Sequence, residues 1–121
     1  MTIAETLILS AARTPMGGFQ GELSGISATD LGAAAIRAAV ERAGIAPDAV
    51  NETLMGNVLS AGLGQAPARQ ASIHAGIPNT VPCTTISKVC GSGMKAVMIG
   101  ADQVALGRAD IIVAGGMESM T

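Results

Sequence analysis

The chain has 121 residues, enough for one domain with a buried core, and a composition 49% hydrophobic and 13% charged excludes a disordered polypeptide. A formal net charge of −2, seven scattered Lys and Arg and a single aromatic residue, Phe19, leave neither a basic stripe nor a stacking platform, so nucleic acid is not an expected partner. Sixteen glycines and a surplus of alanine imply a core built by close approach of backbones in place of rings.

Thr6 to Ala11 is almost continuously apolar and predicts a first strand, covered on both faces of a sheet. Its Leu7-Ile8-Leu9 run is too short for an export signal or a membrane span, and Glu5 stands where a signal would be positive. A loop follows at 13–18. Ser27-Ala28-Thr29-Asp30 resembles a capping box, with Ser27 as N-cap and Asp30 near N3. It predicts a helix to Ala43, closed by Gly44, with Pro47 just beyond. Glu52 to Leu59 predicts a second strand, and Pro67 opens a short helix that ends at Gly76.

Cys83 to Val89 predicts a third strand with a cysteine near each end. Seven residues of strand span roughly 23 Å, beyond disulfide reach. Two unpaired thiols fit a reducing compartment, and a soluble, cytoplasmic protein is expected. A helical pattern begins at Gly91, where Met94, Val97, Met98, Ala101, Val104 and Ala105 form one apolar stripe. Gly107 closes it, and Asp110 to Ala114 predicts a fourth strand running into Gly115-Gly116. Strands alternating with helices predict an α/β fold, a mostly parallel sheet with helices on its faces, and no internal domain boundary. The chain stops at Thr121 just after a strand, which reads as a piece of something longer.

The segment Ser87-Lys88-Val89-Cys90-Gly91-Ser92-Gly93 carries the most chemistry. It puts Cys90 at a strand-to-helix corner, on the helix's first turn, where unpaired N–H groups and the positive end of the helix dipole favour a thiolate. Flanking glycines let a thioester come close to the sulfur. Three other readings compete. Free cysteine is often a buried structural residue, although a Gly-flanked corner is an unusual place for one. Gly91-Ser92-Gly93-Met94-Lys95-Ala96 matches a dinucleotide fingerprint, but the acid it needs at the end of the next strand stands at the start, as Asp110. Ser92 as an elbow nucleophile would need Gly at position 90. His74, the only histidine, lies near a helix C-terminus, where a solvent-facing or dipole-satisfying role is the default; nothing pairs it with Cys90. No metal-ligand spacing is present. Cys83 reads as a strand residue, and Arg13, Arg69 and Lys88 read as ion-pair or surface residues. The methionines read as gap fillers, with Met117 and Met120 past a strand end where substrates often bind.

Ser-Lys-Val-Cys-Gly-Ser-Gly-Met-Lys at 87–95 closely resembles the acyl-enzyme cysteine motif of the thiolases. Residues 10–17 (SAARTPMG), 64–70 (GQAPARQ) and 113–120 (VAGGMESM) are similar to that family too, so the resemblance spans the whole chain. Position 87 is often Asn in the family and is Ser here. The resemblance, nearest to the acetoacetyl-CoA-forming type, implies the first part of a layered αβαβα fold. It also implies a reversible Claisen condensation of two acetyl-CoA into acetoacetyl-CoA and CoA, with Cys90 as the acylated nucleophile and its N–H in an oxyanion hole. Acyl-CoA and CoA are then substrates and products, with no resident cofactor or metal. A homodimer or homotetramer follows by the same resemblance, with the family's third strand at the dimer interface. The family's activating His, second Cys and oxyanion-hole Asn, and its CoA-binding loop domain, lie in sequence beyond these 121 residues. A longer-chain 3-ketoacyl-CoA thiolase is the alternative within the fold. A non-catalytic segment acting only in assembly is the alternative outside it.

Overall fold

In the computed structural model, which describes residues 3–121, Ser27 opens the first helix as the capping pattern predicts. Its Oγ accepts from the Asp30 N–H at 3.2 Å, and α1 runs Ala28–Ala43. Gly44 ends the helix in the left-handed region (φ 69°), which glycine enters without a Cβ penalty. Ala28, Ala33, Ile36 and Val40 turn one face of α1 into the core. A single 3-10 turn at Pro47–Ala49, not anticipated, leads into β1 (Glu52–Gly56). Then follow α2 (Pro67–His74), β2 (Cys83–Ile86), α3 (Ser92–Ala105) and β3 (Ile112–Gly116). The β2 residue Thr85 caps α2 from outside, its Oγ1 accepting from the Ala68 N–H at 3.0 Å.

Among the described residues the sheet has three strands in the order β2-β1-β3, all parallel. Thr53 lies opposite Cys83 and Val113, and Gly56 opposite Ile86 and Gly116. Alternation along the central strand explains why it is buried on both sides. Thr53 and Met55 face α1 and α2, where Thr53 Oγ1 bonds Ser72 Oγ at 3.0 Å and Met55 joins the main apolar cluster. Leu54 faces α3. The α/β architecture with helices on both faces of a parallel sheet is therefore as expected.

Three details differ from expectation. Residues 6–11 form no strand. Their contacts to the fold are isolated, among them Thr6 Oγ1 to the Ala101 carbonyl and Ser10 Oγ to the Ala39 carbonyl. Leu7, Ile8 and Leu9 are exposed, and a cleft of about 570 Å³ separates this segment from Ile112–Gly116. The apolar run has strand character but no neighbouring backbone to pair with, so the ladder does not form. The predicted strands are also shorter at their ends: β1 stops at Gly56, β2 at Ile86, and β3 begins two residues late.

The third difference is the buried face of α3. The residues against the sheet are Ser92, Ala96 and Gly100, while Met94, Val97 and Met98 of the predicted stripe are 73%, 46% and 53% exposed. A Cβ at Gly100 would stand 3.2 Å from Ile112 Cγ2, so this helix lies too close for long side chains. Small residues mark the packed face here; large ones mark the uncovered face.

Candidate active site

The carboxyl end of the sheet is where β1 and β3 both finish in glycine, and this pair seats the start of α3. A Cβ on Gly56 would lie 2.5 Å from the Ser92 carbonyl carbon and 2.6 Å from the Gly93 nitrogen. A Cβ on Gly116 would lie 3.1 Å from Gly93 Cα. The helix therefore begins in direct backbone contact with two strand ends, and the residues just before it are placed over the sheet's carboxyl edge. Ligands of open parallel α/β sheets bind at that edge.

Those residues are Lys88, Val89 and Cys90. Val89 has φ 46°, an outlier for a β-branched side chain. The turn it makes is closed by the Gly91 N–H to the Lys88 carbonyl at 3.0 Å and the Ser92 N–H to the Val89 carbonyl at 3.2 Å. Ser92 Oγ accepts from the Lys88 N–H at 2.7 Å and donates to the Val89 carbonyl at 2.6 Å. Cys90 is an exposed free thiol. It sits one residue before the N-cap, Gly91, not within the first helical turn as expected, and no side chain caps α3. The sulfur is thus accessible beside an uncapped helix N-terminus.

A carboxylate organises the neighbouring loop. Glu118, just past β3, accepts from the Val58 N–H at 3.0 Å through Oε2, and from the Leu59 N–H at 3.0 Å and Asn57 Nδ2 at 3.1 Å through Oε1. Asn57 Nδ2 also donates to the Met117 carbonyl, while its Oδ1 is buried without a partner. This network was missed from sequence. Its only signals were an acid following one strand and an Asn following its neighbour. Glu118→Ala removes the shared acceptor of three donors, of which Asn57 Nδ2 keeps the Met117 carbonyl and the Leu59 N–H lies at an exposed residue, and is expected to cost about 2 kcal/mol. Urea unfolding checks it: an unchanged midpoint would show that the network is replaceable by solvent.

The remaining candidates are elsewhere engaged. His74 Nδ1 meets Asp30 Oδ1 at 3.0 Å on the α1–α2 surface, an exposed pair joining two helix ends. Cys83 is half-buried at the amino end of β2, its Sγ 3.4 Å from the Val81 carbonyl, at the opposite end of the sheet from Cys90. Arg13 and Arg69 donate to the carbonyls of Thr14 and Asn79. Asp110 and Ile111 donate their N–H groups to Asn51 Oδ1 at the amino end of β3, so Asp110 is nowhere near the turn a dinucleotide would occupy. Met117 is a core residue against Gly32, not a substrate-facing one, whereas Met120 is exposed. Among the described residues no group of three or more His, Cys, Asp or Glu is placed to hold a metal ion, and no helix is long and apolar enough to cross a membrane.

Residues 6–121 match the family model described as Thiolase, N-terminal domain. The chain is 62% identical over 117 residues to acetyl-CoA acetyltransferase 2 of Arabidopsis thaliana, covering 97% of this chain and 29% of that protein. It is 59% identical over 120 residues to the mitochondrial acetyl-CoA acetyltransferase B of Xenopus laevis, covering 99% and 29%. Its fold matches the Acat5 thiolase of Ascaris suum, solved in complex with coenzyme A, with TM-score 0.88 and 49% identity over 90% of this chain and 28% of that one. The chain thus spans under a third of the length of these relatives. The expected cytoplasmic location does not stand. Relatives from Xenopus laevis, Bos taurus and Homo sapiens are named mitochondrial, and one from Gibberella zeae is named cytosolic. Reduced cysteines separate oxidising from reducing surroundings but do not tell one reducing compartment from another.

Proposed function

The chain belongs to the thiolase family, and we propose that it supplies the nucleophile-bearing part of an acetyl-CoA acetyltransferase. One observation carries the reading: an exposed cysteine on a strained turn, beside an uncapped helix N-terminus, over the carboxyl edge of a parallel sheet. In this reading the Cys90 thiolate attacks the carbonyl carbon of acetyl-CoA and the Cys90 N–H faces the developing oxyanion. The bond from that carbon to the CoA sulfur breaks, and CoA leaves. The enolate carbon of a second, deprotonated acetyl-CoA then attacks the acetyl group on Cys90. Acetoacetyl-CoA forms and the thiolate returns. Each step reverses for cleavage.

Neither His74 nor Cys83 lies at the Cys90 corner to activate the thiol or deprotonate the second acetyl-CoA, the one meeting Asp30 and the other the Val81 carbonyl. The proposal assigns both tasks to the remainder of a complete subunit, 1–121 being the first part of its N-terminal domain. The open edges of β2 and β3, the cleft beside 6–11 and the uncovered Met94 and Met98 are surfaces such a remainder and a homodimeric or homotetrameric partner cover. Purified 1–121 is accordingly expected to show negligible cleavage of acetoacetyl-CoA in the presence of CoA. Steady turnover by this polypeptide alone would overturn the division of labour. Carried in place of the matching segment of the Arabidopsis thaliana relative, it is expected to support that turnover.

A further inference from the structure

We infer that Ser92 is the positioning residue that holds Cys90 in its attacking orientation; this rests on the reading of Cys90 as the nucleophile. Left-handed backbone at a β-branched residue persists only where surrounding contacts over-determine it, and Val89 is such a residue. Ser92 provides those contacts. Its one hydroxyl bridges the backbone across the turn, accepting from the Lys88 N–H and donating to the Val89 carbonyl at 2.7 and 2.6 Å. A carbonyl only accepts and an amide only donates, so both capacities of the hydroxyl are used and its direction is determined.

Ser92 is itself immobilised. It is 5% exposed, and its carbonyl carbon and Cβ are among the nearest atoms to the position a Gly56 Cβ would take. The hydroxyl therefore transmits the rigidity of β1 to the turn that presents the sulfur. Cys90, which is exposed, follows the geometry of that turn. Ser92 acts on the reaction only through this turn, and its hydroxyl is too fully engaged to serve as a nucleophile.

The test is the iodoacetamide alkylation rate of Cys90 and Cys83 in an assembled subunit carrying 1–121 in place of the matching Arabidopsis thaliana segment, resolved by peptide mass spectrometry, with folding followed by circular dichroism. In the unaltered protein Cys90 reacts faster than Cys83. Ser92→Ala lowers the Cys90 rate about tenfold and leaves Cys83 unchanged, because the turn relaxes once its clamp is gone. Val89→Asn combined with Ser92→Ala restores the Cys90 rate, since Asn adopts the left-handed region at low cost without the clamp. A purely structural role for Ser92 would not be rescued by a change at position 89. If Ser92→Ala keeps the original Cys90 rate while Cys90 still outpaces Cys83, the inference fails and the nucleophile reading survives. Should Cys90 be no faster than Cys83 in the unaltered protein, both fall. Where Ser92→Ala alone does not fold, the double variant decides: folded and fast supports the clamp, folded and slow overturns it.

Discussion

Gly56→Ala is expected to destabilise the fold by about 3 kcal/mol or more, a large part of a small domain's total stability. The added methyl group would meet the Ser92 carbonyl carbon, the Gly93 nitrogen and Ser92 Cβ at 2.5–2.7 Å. Two of those atoms are backbone and all belong to the start of α3, so no side-chain rotation relieves the overlap. The helix must lift off the sheet and take Cys90 with it. Gly25→Ala is the control, because that position has nothing within 4 Å of an added Cβ. Urea denaturation separates the two: the Gly56 variant should unfold at least about 1 M earlier, and the Gly25 variant near the original midpoint. Equal midpoints would mean that the seating of α3 on Gly56 is softer than the close contacts require.

Cys90→Ser is expected to lower acetoacetyl-CoA turnover by at least about a thousandfold, measured in a subunit carrying 1–121 in place of the matching Arabidopsis thaliana segment. The change exchanges sulfur for oxygen at an exposed position, so the fold should be unaffected. A serine hydroxyl at neutral pH is a far weaker nucleophile than a thiolate, and the acyl group has nowhere to go. Cys83→Ser, at the amino end of β2, should retain most of the activity. A Cys90→Ser subunit with more than a few per cent of the original rate would remove the thiol from the mechanism.

Local chemistry was the legible part of this molecule. Ser27, Gly44 and Gly107 mark their helix ends in sequence because capping depends on one or two residues and a single dihedral. The parallel β-α-β alternation was legible for the same reason. What failed depended on partners distant in sequence. Residues 6–11 have the apolar pattern of a strand, but a strand exists only where another backbone lies beside it. The packed face of α3 is not the bulky apolar stripe, because Gly56, Gly93 and Gly116 bring the helix so close that only Ser92, Ala96 and Gly100 fit beneath it.

The site divides in the same way. Cys90 stood out at a Gly-flanked corner between a strand and a helix. Ser92, Val89 and Glu118 did not, because their roles depend on a left-handed turn and on hydrogen bonds spanning up to 61 residues of sequence. Nothing in a one-dimensional pattern distinguishes the Ser92 hydroxyl from that of any other serine in a helix's first turn.

The most direct measurement is peptide mass spectrometry after brief exposure of that same subunit to acetyl-CoA and an acid quench. The account predicts one acetyl group, on the peptide containing Cys90, discharged when CoA is added in excess. Turnover without an acetyl group on Cys90, or with the group on another residue, would contradict it.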